Sequence, residues 1–131
     1  LRMERACSNA KALAEFLNTY PDITVNYPGL ACSPWHDVAD KVLANGYGAI
    51  LTIRVGSKER AFSIINNLSI PKIVSNIGDT KTLIIHPEST LNAHSTEKEK
   101  EDAGVFDNLI RISVGIEDIE DLIEDFKAAL A

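Results

Sequence analysis

Apolar residues recur at three- and four-residue spacing at the start of the chain. Ala6, Ala10, Leu13, Ala14 and Leu17 form one stripe, with Lys11 and Glu15 between them, and this period predicts a helix. No Ser, Thr, Asp or Asn cap precedes the stripe and residue 1 is not Met, so the helix is expected to be already running at residue 1, as in a chain cut from a longer one. Pro21 ends it, because the residue before a proline is pushed out of the helical region. Residues 23–27 alternate and are rich in β-formers, which predicts a short strand closed by Pro28 and Gly29. A helix is expected over 34–45, with Ser33 as cap, Pro34 in the first position, and Trp35, Val38, Val42 and Leu43 on its apolar side.

Residues 48–55 are the most strand-like run and are apolar on both faces through Leu51, which suits a central strand. Ser57 caps the next predicted helix, which runs to about residue 68 with Glu59 in its first turn and Ala61, Phe62, Ile65 and Leu68 inward. Pro71 precedes a strand at 72–75, and a second short strand over 82–85 ends at His86 and Pro87. Residues 88–103 are polar, and the charge run at 97–102 reads as a solvated loop or a short exposed helix. A last strand spans 109–114. Gly115 then leads to a helix with Ile116, Ile119, Leu122, Ile123, Phe126 and Leu130 on one face, and with Glu117, Asp118, Glu120 and Asp121 complementing the dipole of its first turn. The order α-β-α-β-α-β-β-loop-β-α, with no βαβ phosphate fingerprint, predicts an α+β sandwich: a small, mostly antiparallel sheet with helices on one face.

At 131 residues, 45% hydrophobic and 24% charged, the chain is expected to be one globular domain. Its net charge of −6 and lack of a basic cluster exclude a general nucleic-acid binder. No apolar run reaches the roughly 20 residues of a membrane span, and the first residues do not form a secretory leader. Cys7 and Cys32 have no partners at metal-ligand spacing, so no metal is expected and a reducing, cytoplasmic compartment is. His36, His86 and His94 are scattered, and His86, next to Pro87, reads as a strand-end hydrogen-bonding group.

Arg111 stands out as a guanidinium among Leu109, Ile110, Ile112 and Val114. Such a side chain is costly to desolvate unless it meets an anion with good geometry. It either pairs with an acid of the last helix or grips a small carboxylate through its planar fork. Asn76, just before the turn at Ile77 and Gly78, is expected to face the same anion.

The strings SNIGDTKTLIIHPEST (75–90) and LIRISVGIED (109–118), with VNYPGL (25–30), resemble the cysteine/methionine metabolism family of pyridoxal-phosphate enzymes, along essentially the whole chain. The likeness is to the O-acetylhomoserine sulfhydrylase branch, where Asn precedes the apolar-Gly-Asp turn. It implies that residues 1–131 are a C-terminal substrate-binding domain, with residues 1–20 in the interdomain helix. By the same resemblance, the N-terminal domain that holds pyridoxal 5'-phosphate is expected to lie outside this chain. That domain carries the Schiff-base lysine in a Ser-x-Thr-Lys-like segment, and none of the eight lysines here has that context. By resemblance Arg111 grips the substrate α-carboxylate, Asn76 helps to orient it, and Ser75 and Thr90 are further contacts. The intact enzyme would replace acetate by sulfide or a thiol at the γ-carbon, assembled as a homotetramer, and the domain alone would be inactive. Where the family has Thr-Thr-His or Met-Thr-His after the serine, this chain has Thr90, Leu91 and Asn92. A cystathionine γ-synthase or γ-lyase relative, a free-standing regulatory module that binds an amino acid, and a purely structural domain remain as alternatives.

Overall fold

The opening stripe becomes α1 (Arg2–Leu17), with Ala10, Leu13, Ala14 and Leu17 fully buried and no side-chain cap at its start. A computed structural model describes residues 1–131. The remaining elements are β1 (Thr24–Asn26), α2 (His36–Val42), β2 (Ile50–Arg54), α3 (Lys58–Asn67), β3 (Lys72–Ile73), β4 (Leu83–Ile85), α4 (Glu97–Asp102), β5 (Leu109–Ser113) and α5 (Ile119–Leu130). Five strands form one sheet in the order β1-β2-β5-β4-β3. Only the β3–β4 pairing is parallel; the other pairings are antiparallel. The expected small, mostly antiparallel α+β sheet is what the chain builds.

Strand alternation divides the sheet into two different faces. Register places Leu51 opposite Ile112 and Ile112 opposite Ile84, with Ile53 opposite Ile110. These residues share one core with Leu13 and Leu17 of α1, Ala61 and Ile64 of α3, and Leu122 and Phe126 of α5. Helix α5 lies between α1 and α3. Burying each large aliphatic or aromatic side chain there contributes about 1.5–3 kcal/mol.

Three sequence expectations need correction. In α2 only Ala39 is buried, while Trp35 (64% exposed), Val38 and Val42 (71%) face solvent. The helix is held instead by polar contacts, His36 Nδ1 to the Pro28 carbonyl at 2.8 Å and Tyr47 donating to Asp40. Ser33 does not cap it; its hydroxyl accepts from the amide of Trp35, one residue before the helix starts. In α3 the inward set is Ala61, Ile64 and Ile65, with Phe62 turned toward His86 on the outside. The last helix begins later than its apolar pattern suggests. Asp118 caps it, Ile116 is outside it and partly exposed, and Glu117 is turned away from its N-terminus.

The polar 88–103 segment contains α4, a six-residue helix with no buried residue. Thr96 and Glu99 form a capping box at its start. Lys100 on α4 and Lys58 on α3 both reach Glu88, at 2.7 and 2.8 Å. Hydrogen bonds from Lys100 and then Lys58 hold the Glu88 carboxyl well down, from 4.5 to about 2. A carboxyl whose folded pKa is depressed adds stability above its unfolded value, and that stability is lost as pH falls through the folded value. The chain is therefore expected to lose stability between about pH 4.5 and about 2 partly through this residue, and Glu88→Gln should flatten the pH dependence in that window. Urea midpoints at stepped pH check this; identical slopes for the two proteins would refute it.

Candidate functional site

Arg111 is the middle residue of β5, and because Ile110 and Ile112 point into the core it must point to the opposite face of the sheet. The ladder places Asn26, Thr52, Arg111 and Ile85 in one row across four strands on that face. Helices α1, α3 and α5 lie on the other side, so no acid of α5 reaches Arg111. None of the five ion pairs in the chain includes it. The salt-bridge alternative is not what the chain builds.

Two excursions flank the guanidinium. From the segment between β3 and β4, the backbone carbonyls of Ser75 and Asn76 accept from Nη2 at 2.7 and 3.4 Å. From the segment between β4 and β5, Leu91 and Asn92 line a cavity of about 300 Å³ together with Asn26, Thr52 and Arg111. Nε and Nη1 of Arg111 donate to no protein acceptor. The result is a half-buried, permanently charged fork, oriented by two carbonyls and lacking a counter-ion, which suits a planar carboxylate.

The other expected residues stand in different relations to this group. Ser75 and Asn76 meet Arg111 through their backbone, and the side-chain amide of Asn76 is exposed and unbonded within the protein. The hydroxyl of Thr90 donates to the His86 carbonyl at 2.6 Å and does not touch Arg111. His86 Nε2 donates to the Asp107 carbonyl at 2.6 Å, which leaves Nδ1 to accept from the Ser89 hydroxyl at 2.7 Å. Both ring nitrogens are thus engaged in holding loops. No three His, Cys, Asp or Glu side chains converge on a metal geometry, and Cys7 and Cys32 are both free thiols. Asn26 and Thr52 were not singled out from sequence, because only the strand register puts them beside Arg111. A larger cavity, about 440 Å³, lies between the start of α1, Ile50 and Ile77; its lining is mostly apolar and does not include Arg111.

Lysines decide whether this chain could attach an aldehyde cofactor itself. Lys58 and Lys100 are bound to Glu88, and Lys127 to Glu124. Lys11, Lys41, Lys72, Lys81 and Lys98 are exposed. None is the desolvated amine that Schiff-base chemistry needs, so the covalent anchor does not fit here.

Comparison with known proteins adds an independent line. Residues 1–131 match the family described as "Cys/Met metabolism PLP-dependent enzyme". An L-methionine gamma-lyase of Fusobacterium nucleatum subsp. polymorphum is 42% identical over 132 residues, which cover 99% of this chain and 33% of that protein. O-acetyl-L-homoserine sulfhydrylase 1 of Thermus thermophilus is 42% identical over 133 residues, covering 100% of this chain and 32% of that protein. A crystal structure from Campylobacter jejuni that carries N'-pyridoxyl-lysine-5'-monophosphate superposes with a TM-score of 0.94 at 38% identity, over 98% of this chain and 31% of that one. The chain spans about a third of the length of these relatives.

Proposed function

The chain belongs to the Cys/Met metabolism family of pyridoxal-phosphate-dependent enzymes, and on that premise we propose that residues 1–131 are the C-terminal, substrate-carboxylate-binding domain of an O-acetylhomoserine sulfhydrylase. The observation that carries this reading is the unpaired fork of Arg111, aimed away from the helices and set by the Ser75 and Asn76 carbonyls. In this reading the amino-acid substrate places its α-carboxylate on Nε and Nη1 of Arg111. The side-chain amide of Asn76 and the hydroxyl of Ser75 stand by as further contacts, while the Thr90 hydroxyl is engaged by the His86 carbonyl and serves the loop instead.

Pyridoxal phosphate supplies an electron sink for amino-acid chemistry, and it is held by the larger N-terminal domain of the full-length protein. The share of this domain is orientation. Fixing the carboxylate fixes the rotation of the α-carbon, and well-placed reacting groups lower barriers by several kcal/mol. With no lysine suited to the cofactor, the domain alone is inactive. The full-length enzyme is a cytoplasmic homotetramer in this reading, and no helix of this chain is long and apolar enough to cross a membrane.

A second reading, a γ-lyase acting on methionine, is favoured by the equal identity to the Fusobacterium enzyme. Assay of the full-length protein separates the two. Homocysteine from O-acetylhomoserine and sulfide is the expected product. Release of methanethiol from methionine, with no homocysteine formed, would instead establish the lyase.

A further inference from the structure

The segment that orients Arg111 is itself held by a polar network. Glu117 lies two residues beyond Gly115, outside α5, and its carboxylate accepts both donors of one residue. The Thr82 amide reaches Oε1 at 2.5 Å and the Thr82 hydroxyl reaches Oε2 at 2.8 Å. The same hydroxyl accepts from the Gly115 amide at 3.0 Å. Asn9 of α1, buried, donates to the carbonyls of Gly115 and Glu117 at 3.1 and 2.9 Å, fixing the turn that carries the carboxylate. No ion pair includes Glu117, and both hydrogen bonds its carboxylate accepts come from Thr82, while Arg5 Nη2 donates to the Glu117 backbone carbonyl at 3.4 Å.

Thr82 is where the segment between β3 and β4 closes. Its carbonyl accepts from the Lys72 amide at 2.9 Å, so both ends of the loop meet there. Along the loop, the Thr80 carbonyl accepts from Ile116 at 2.9 Å and the Gly78 amide donates to the Ser113 hydroxyl at 3.0 Å. From this anchored arm the Ser75 and Asn76 carbonyls extend to Arg111. We propose that Glu117 is a positioning residue for substrate-carboxylate capture: through Thr82 it holds the arm that sets the Arg111 fork. The inference rests on the carboxylate-binding reading of Arg111. A carboxylate suits this task because it is the side chain with two oxygens that only accept. Glutamine offers one oxygen to two donors, so either the amide or the hydroxyl of Thr82 is left facing an amide nitrogen.

The test uses the full-length protein loaded with its cofactor, and calorimetry of two ligands that share a carbon chain. L-2-aminobutyrate carries the α-carboxylate; n-propylamine lacks it. Glu117→Gln is expected to weaken aminobutyrate by about tenfold and the amine by less than about twofold. A merely structural role would lower thermal stability and leave the ratio of the two affinities unchanged, which would overturn the inference. Arg111→Lys is measured in parallel. If it fails to weaken aminobutyrate selectively, the carboxylate reading itself is wrong and this inference goes with it. If Arg111→Lys is selective and Glu117→Gln is not, only the inference falls. Should Glu117→Gln not fold, Thr82→Val and Thr82→Ser report on the same contact. Serine, which keeps the hydroxyl, should retain the selectivity that valine loses, and equal behaviour of the two would refute the role.

Discussion

Arg111→Lys in the full-length protein is expected to lower kcat/KM for the amino-acid substrate by about 10–10²-fold, the loss that follows from giving up one charge-assisted hydrogen bond of a bidentate pair, about 1.5–3 kcal/mol. Charge is conserved in this substitution, so the loss comes from geometry. One arm of the guanidinium, Nη2, already serves the Ser75 and Asn76 carbonyls, while Nε and Nη1 remain for a ligand. Lysine has a single ammonium on a flexible stem. Held by the same two carbonyls, that ammonium has no second nitrogen with which to fork onto a carboxylate. Steady-state kinetics at varied amino acid and saturating thiol read the effect, and a change smaller than about threefold would remove Arg111 from the substrate site. In the proposed carboxylate-binding role both the capture and the orientation of the substrate pass through this group, so KM is expected to rise and kcat to fall together.

How much of this was legible in the sequence differs residue by residue. Arg111 was legible because a cation among Leu109, Ile110, Ile112 and Val114 conflicts with its surroundings. Its direction was not, since the choice between an α5 acid and an external anion depends on which face of the sheet the helices cover. The residue type of Asn76 points to its side chain, yet it meets Arg111 through its carbonyl; backbone contacts leave no mark on residue type. The apolar stripe of α2 gave the helix, but periodicity says nothing about what lies opposite it, and Trp35 and Val42 face solvent. Glu117 fits the dipole rule for a helix start, whereas in the folded chain Asp118 caps the helix and Glu117 turns to Thr82. Asn9 sits within the buried stripe of α1, where a single polar residue gives no period of its own. The hydroxyl–carboxylate–amide network joins residues about 35 and 106 positions apart, so only the folded chain brings it together.

Gly115→Ala carries the largest expected cost to the fold, about 3–5 kcal/mol from forced overpacking plus displaced hydrogen bonds. The reason is space. A Cβ at residue 115 would lie 2.3 Å from the Thr80 carbonyl oxygen, 2.6 Å from the Lys81 carbonyl carbon and 2.6 Å from Oε2 of Glu117. Two of these atoms are backbone, and the third is the carboxylate already gripping Thr82. Relief requires the 80–82 segment to move off the end of β5, which breaks the bonds from Ile116 to Thr80 and from Gly115 to Thr82. Native stability of a domain this size is only about 5–15 kcal/mol, so the variant should sit near its unfolding threshold. Gly48→Ala is the informative comparison. No atom lies within 4 Å of a Cβ there, and the penalty comes only from its φ of +89°, about 1 kcal/mol. Urea unfolding of the three proteins measures both effects. Equal losses at the two glycines would mean that the contact at Gly115 relaxes freely. A much larger loss at Gly115 would mark the junction of β5 with the arm over Arg111 as rigid, and rigidity there is what the proposed role requires of two backbone carbonyls that hold a charged fork in place.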